Sequence, residues 1–303
     1  MSLNRLYSLI LELSATHDAI LPATTGHQAH ALFLDLVRHV DPALSARLHD
    51  EESYRPFTVS SLRGGVEREK SVFLQAGAKY SLRVTLLDGG TLWQCLSQQF
   101  LEVQHVPLQL GKASFTLARV LSTPASDPTG WAGYSDWQTL AMTEARQMIT
   151  MQFASPTAFS MGDRRFALFP EPMLMWDSLL RSWNRYAPAV LHIDKHIMRE
   201  QIARDVAIVE YDLHTTTLQF PHSMQRGFMG NCTYALKASK EATSYLTTLA
   251  EFARFSGIGY RTTMGMGQAR LVEHAIGESN SHNARGSDVS SSSTASRIAS
   301  QAR

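Results

Sequence analysis

At 303 residues the chain is long enough for about two domains of ordinary size, each with a core of its own. Its 28 Lys and Arg balance 27 Asp and Glu to a net charge of +1, which excludes a uniformly basic coat and confines any polyanion to a local patch. Two cysteines, Cys95 and Cys232, are too few and too far apart for a zinc motif or a disulfide scaffold, and both read as small buried apolar residues.

Met1 to Leu13 interleaves Asn4, Arg5, Ser8 and Glu12 with apolar side chains, unlike the continuous apolar stretch of a signal peptide. No run approaches membrane-spanning length, so a cytoplasmic protein without membrane contact is expected. In chain order, Leu6 to Leu13 reads as a strand and Gly26 to Val40 as a helix, with Leu32, Phe33, Leu36, Val37 and Val40 on its apolar face. Asp41 and Pro42 open a second, short helix that runs to His49. Next come Phe57 to Leu62, a Gly64-Gly65 turn, a strand over Ser81 to Leu87, a helix over Gly90 to Val103 and a strand over Ser114 to Val120. Strand, helix, strand, strand, helix, strand is the order of a ferredoxin-like sandwich, with helices on one face of an antiparallel sheet.

The prolines, the glycines and Asp127 between Ser122 and Tyr134 have the composition of an interdomain connection. Beyond it the pattern repeats: a strand at Ile149 to Ala154, a helix at Pro172 to Tyr186 and a long strand at Val206 to Phe220. Phe228 to Leu236 pairs with that strand, and a helix follows over Glu241 to Phe255. The expected architecture is α+β, two tandem ferredoxin-like (RRM-like) domains with a C-terminal glycine-rich loop. The boundaries are 1–123 for the first domain, 124–146 for a linker, 147–275 for the second domain, and 276–303 for a tail too poor in apolar residues to order itself.

The loop itself, Gly257-Ile258-Gly259-Tyr260-Arg261-Thr262-Thr263-Met264-Gly265-Met266-Gly267, carries two Gly-x-Gly pairs around a polar bridge. Walker and Rossmann loops follow a strand and open a helix. Here a helix comes first and a strand second. A small-molecule enzyme that binds a nucleotide phosphate is therefore disfavoured, since no Lys-Ser/Thr follows the loop and no acid stands at the required spacing.

Three passages carry a resemblance. The glycine loop and the strand after it, Gly257 to Val272, resemble the C-terminal glycine-rich signature of the CRISPR-associated endoribonucleases that cut precursor CRISPR RNA, members of the RAMP superfamily. Asp41-Pro42-Ala43-Leu44 through Leu48-His49, with Arg55-Pro56-Phe57-Thr58-Val59-Ser60, is similar to the stretch that holds that family's active-site histidine. Ser155-Pro156-Thr157-Ala158-Phe159 with Phe169-Pro170 looks like the start of its second domain. The resemblance implies metal-independent cleavage of CRISPR repeat RNA without a cofactor: a 2′-hydroxyl attacks the adjacent phosphate, leaving a 2′,3′-cyclic phosphate and a 5′-hydroxyl. The partners it implies are precursor and mature CRISPR RNA and other CRISPR effector subunits.

On the same resemblance His49 stands at the catalytic histidine position, and histidine suits proton transfer near neutral pH. The plain alternative is a histidine that complements the C-terminus of its helix. Arg55, at a position that the family often fills with lysine, would brace the phosphorane, or be an ordinary solvated arginine. Some members have a tyrosine on the first helix where this chain has Leu34, which cannot transfer a proton. His30, one turn earlier on the same face, is the natural substitute, or a half-buried packing residue. His27 lies nearer the polar side, and His39 is on the opposite edge. Gly257, Gly259, Gly265, Gly267 and Arg261 would grip RNA backbone or pack the loop beside the active site, with Arg164, Arg165 and Arg226 as further phosphate contacts. The competing reading is a repeat-binding subunit that has lost cleavage.

Overall fold

The computed structural model describes residues 5–51, 55–102, 107–220 and 223–272; the expected tail, 276–303, lies outside them. The chain opens with strand β1 (Arg5–Ala15), β2 (Ala19–Pro22), helix α1 (Gly26–Val40) and α2 (Pro42–Asp50). Asp41 caps α2 by accepting the Leu44 N–H at 2.9 Å, and Pro42 occupies the first helical position, where its missing N–H costs nothing. Then follow β3 (Phe57–Val59), β4 (Val66–Arg68), β5 (Ser71–Leu74), β6 (Lys79–Leu86), α3 (Thr91–Glu102), β7 (Leu108–Leu110) and β8 (Ala113–Leu121). The main sheet runs β3-β6-β1-β8-β7, and β2, β5 and β4 form a small sheet of their own. Taken as strands one to four, β1, β3, β6 and β8 lie in the order 2-3-1-4, the antiparallel ferredoxin-like arrangement. Period-two alternation sends Leu9, Leu11 and Leu13 of β1 into the core beside Leu32, Phe33 and Leu36 of α1.

The segment read as a linker carries secondary structure. Strand β9 (Gly133–Asp136) pairs with the first residues of β1, and α4 (Trp137–Ala141) sends Trp137 and Leu140 into the core of the second half. That half continues with β10 (Met148–Thr157), a hairpin of β11 (Phe159–Ser160) and β12 (Phe166–Ala167), α5 (Pro172–Tyr186) and α6 (Lys195–Asp205). It closes with β13 (Val206–Phe220), β14 (Ser223–Leu236), α7 (Lys240–Ser256) and β15 (Ala269–Val272). Its sheet, β13-β14-β10-β15, repeats the 2-3-1-4 order. Trp176, Leu180 and Trp183 of α5 pack with Leu246, Leu249 and Phe252 of α7.

The two halves are joined through polar groups that no hydrophobic pattern advertises. Arg83, 2% exposed, donates from Nε to Ser8 Oγ at 3.0 Å and from its other nitrogens to the Gln268 side chain and the Arg254 carbonyl. Thr85 Oγ1 donates to the Phe255 carbonyl at 2.6 Å. First-half side chains thus satisfy carbonyls in the last turn of α7, where a cation is electrostatically favoured. Burial, with the charges of Arg254, Arg63 and Arg270 nearby, holds the Arg83 guanidinium well below its usual pKa.

Candidate active site

A cleft of about 630 Å³ separates the two halves. Its second-half wall is a polar stripe on α5, Ser178, Arg181, Ser182, Arg185 and Tyr186, at the three- and four-residue spacing that puts side chains on one helix face. Trp176, Leu180 and Trp183 turn the other face inward. Arg181 is steadied by Asp177, whose two oxygens take Arg181 and Arg199 at 2.7 Å each.

The first-half wall contributes Arg55, Phe57 and Leu87. The Arg55 backbone N–H donates to Tyr186 Oη at 3.1 Å, across the cleft, and its guanidinium donates to the His49 carbonyl at 3.3 Å. His49, in the last turn of α2, keeps 71% of its side chain exposed and sets Nδ1 2.8 Å from Asp50 Oδ1. Among the described residues that contact leaves Nε2 as the ring nitrogen without a bond. His49 stands beside the cleft and Arg55 lines it.

His30 is buried, 8% exposed, and stacks on Phe57 with ring centroids 5.6 Å apart. Its Nδ1 lies 3.0 Å from the Thr263 carbonyl, and since a carbonyl only accepts, Nδ1 carries the proton. Burial lowers its pKa below 6.5, the Thr263 bond opposes that, and the charges of Arg55, His27 and His49 add to the lowering. Three expected site residues, His30, His49 and Arg55, therefore share one electrostatic neighbourhood. Leu34 is buried in the first core. His27 is exposed, and His39 bonds back to the Asp35 carbonyl on the outer side of α1.

The glycine loop forms the floor. Its N–H groups are used inside the protein: Gly257 donates to Ala253 O, Gly259 to Ser178 Oγ, Gly265 to Val59 O and Gly267 to Pro156 O, at 2.9 to 3.0 Å. The expected backbone grip through the four glycines thus meets donors already bonded. Close approach is what requires glycine here. A Cβ on Gly267, at φ 67°, would stand 2.1 Å from the Ile258 carbonyl oxygen, and one on Gly26 would stand 1.9 Å from that of Met264. The polar bridge faces the cleft, and Arg261 lies over the Phe220 and Tyr260 rings at 4.5 and 5.1 Å. Arg164 and Arg165 sit at the tip of the β11–β12 hairpin, and Arg226 is exposed on β14 opposite Thr217; none of the three lines the cleft.

The family model described as CRISPR Cas6 N-terminal domain matches residues 6–141, and that described as CRISPR-associated endoribonuclease Cas6 matches residues 151–269. The chain belongs to the Cas6 family. It is similar to a Cas6 product complex, with a TM-score of 0.76 and 30% identity over 89% of this chain and 100% of that one. A structure of Thermus thermophilus Cas6 aligns with a TM-score of 0.68 and 29% identity, over 88% of this chain and 98% of that one. The CRISPR-associated endoribonuclease Cas6 of Streptococcus thermophilus is 26% identical over 43% of this chain, and the match spans 53% of that relative's length. The Cas6 fold accounts for the tandem ferredoxin-like halves.

Sequence reading missed the α5 stripe. Ser178, Arg181, Ser182 and Arg185 look like the solvated side of an amphipathic helix, and only the packing of the halves turns that side into a wall.

Proposed function

We propose that this Cas6 protein is a metal-independent endoribonuclease that cuts CRISPR repeat RNA in the cleft between its halves. The observation that carries this reading is the convergence of Arg55, Arg181, Arg185 and Arg261 on one cleft, with His49 beside it. Four guanidiniums suit an RNA backbone, since phosphate contacts dominate affinity. In the reaction a base takes the proton of the 2′-hydroxyl, the O2′–P bond forms, the P–O5′ bond breaks and an acid protonates O5′. His49 is assigned proton transfer through Nε2, with Asp50 orienting the ring, and Arg55 braces the crowded phosphorane. His30, buried against Thr263, holds the loop bridge on α1 and supplies a second imidazole that favours the neutral form. A Cas6 of similar structure is described as a product complex, which supports this protein binding the product of its reaction.

Repeat RNA incubated with the protein in EDTA is expected to yield 2′,3′-cyclic phosphate and 5′-hydroxyl ends, and a 2′-deoxy nucleotide at the cut to block cleavage. A requirement for divalent metal, or cutting of the deoxy substrate, refutes the mechanism. A second reading, a repeat-binding subunit without cleavage, draws on the burial of Leu34, which leaves that position without a proton donor. It predicts tight repeat binding and no product on long incubation.

A further inference from the structure

We propose that Tyr186 is a positioning residue, by which helix α5 of the second half holds the main chain of Arg55 in the first half and so sets Arg55 and His49 relative to the cleft. The inference rests on the proposed cleavage for its functional consequence and on geometry for its structural part. Arg55 N–H donates to Tyr186 Oη at 3.1 Å, although 131 residues separate the two in sequence. One guanidinium nitrogen of Arg55 then donates to the His49 carbonyl at 3.3 Å. The chain of contacts runs from α5 through Arg55 to the end of α2. Both Tyr186 and the Arg55 side chain line the cleft, so the bond is made where the proposed chemistry occurs.

The anchor is stiff because of where α5 packs. Trp183, one turn before Tyr186, is 1% exposed and donates from Nε1 to the Leu191 carbonyl at 2.8 Å, while its ring meets Trp137 and Phe252 edge-on. The neighbouring Ala187 N–H bonds to the Trp183 carbonyl at 2.8 Å, closing the helix. Tyr186 is therefore displayed from a fixed helix end. On the α2 side of Arg55, His49 and Asp50 are largely exposed, whereas after it Pro56 O accepts the Leu87 N–H at 2.7 Å and Phe57 begins β3. Burial also raises the Tyr186 phenol above its ordinary pKa of 10, so the neutral hydroxyl is the form whose oxygen accepts the Arg55 N–H. A phenylalanine would fill the same space and leave that N–H without its acceptor.

The test is Tyr186→Phe in the full chain. By NMR, hydrogen exchange of the Arg55 amide is expected to speed up by about tenfold or more, the factor for one hydrogen bond of roughly 1.4 kcal/mol. An unchanged rate overturns the proposal whether or not the protein cleaves RNA. On repeat RNA the single-turnover rate is expected to fall about tenfold with Kd within about twofold, because the bond orders groups that act in the transition state. In an Arg55→Ala background the same substitution is expected to add little further loss, as befits a residue acting through Arg55. Faster exchange with undiminished cleavage, or fully multiplicative losses in the double variant, removes the positioning role. If wild-type protein leaves repeat RNA intact, the proposed activity fails, while the exchange measurement still decides the anchor.

Discussion

The second-half wall of the cleft is carried by the 15-residue helix α5 and by a loop whose glycine amides are bonded inside the protein. The first-half wall is carried by Arg55, Phe57 and Leu87, with the last turn of the nine-residue α2 beside it. Both halves have the same 2-3-1-4 sheet, so the difference does not come from topology. It comes from what each half places at the cleft. The second half contributes permanent charge on a rigid helix, through Arg181 and Arg185. The first contributes His49 on a short exposed helix end, the buried His30 of α1 and Arg55, and two of these meet the second half: His30 at the Thr263 carbonyl and the Arg55 N–H at Tyr186. On the proposed function, one half grips the RNA and the other carries the reaction.

This division can be broken in four places. His49→Ala should have the largest effect, lowering cleavage by about 10²- to 10⁴-fold, the usual worth of a general acid or base, with repeat binding retained. Single-turnover kinetics measure this, and an undiminished rate would transfer the chemistry elsewhere. Gly267→Ala acts on the other wall: left-handed strain together with displacement of the Ile258 carbonyl should cost about 2–3 kcal/mol in urea unfolding. A neutral outcome would show that the loop is not held by close approach. Arg181→Ala with Arg185→Ala should weaken binding and reduce the salt slope of log K by about 1.4–1.8, if each contacts one phosphate. A slope unchanged from wild type would remove α5 from the RNA path.

The smallest effect concerns His30. Its pKa is lowered in the folded protein, so between that value and 6.5 the unfolded chain binds the extra proton, and stability falls as the pH drops below 6.5. Melting temperatures between pH 7.5 and 5 should decline less steeply in His30→Gln than in wild type. Parallel curves would mean that His30 is not buried as a neutral ring.

Much of the scaffold could be read from residues alone. Helices Gly26–Val40 and Pro172–Tyr186 and strand Val206–Phe220 have the bounds that periodicity predicts, because apolar spacing is a local property enforced by burial. The short strands β2, β4, β5 and β9 escaped because three or four residues hold too little pattern, and their pairing is settled by distant partners. At the site, the motif placed His49 and Arg55 within six residues of each other, and local sequence was enough to nominate them. It could not show that His30 is buried with a nitrogen on Thr263, or that the loop glycines are required by carbonyls pressed against them. Nor could it reveal that Tyr186 meets Arg55. Sequence by itself determined the two-fold repeat of the fold, which is written in local spacing, and its motifs carried the resemblance that implies the family and the candidate reacting groups. Only the tertiary structure decided the cleft, because its walls are faces of helices and loops brought together by the buried polar join at Arg83, Thr85 and Gln268.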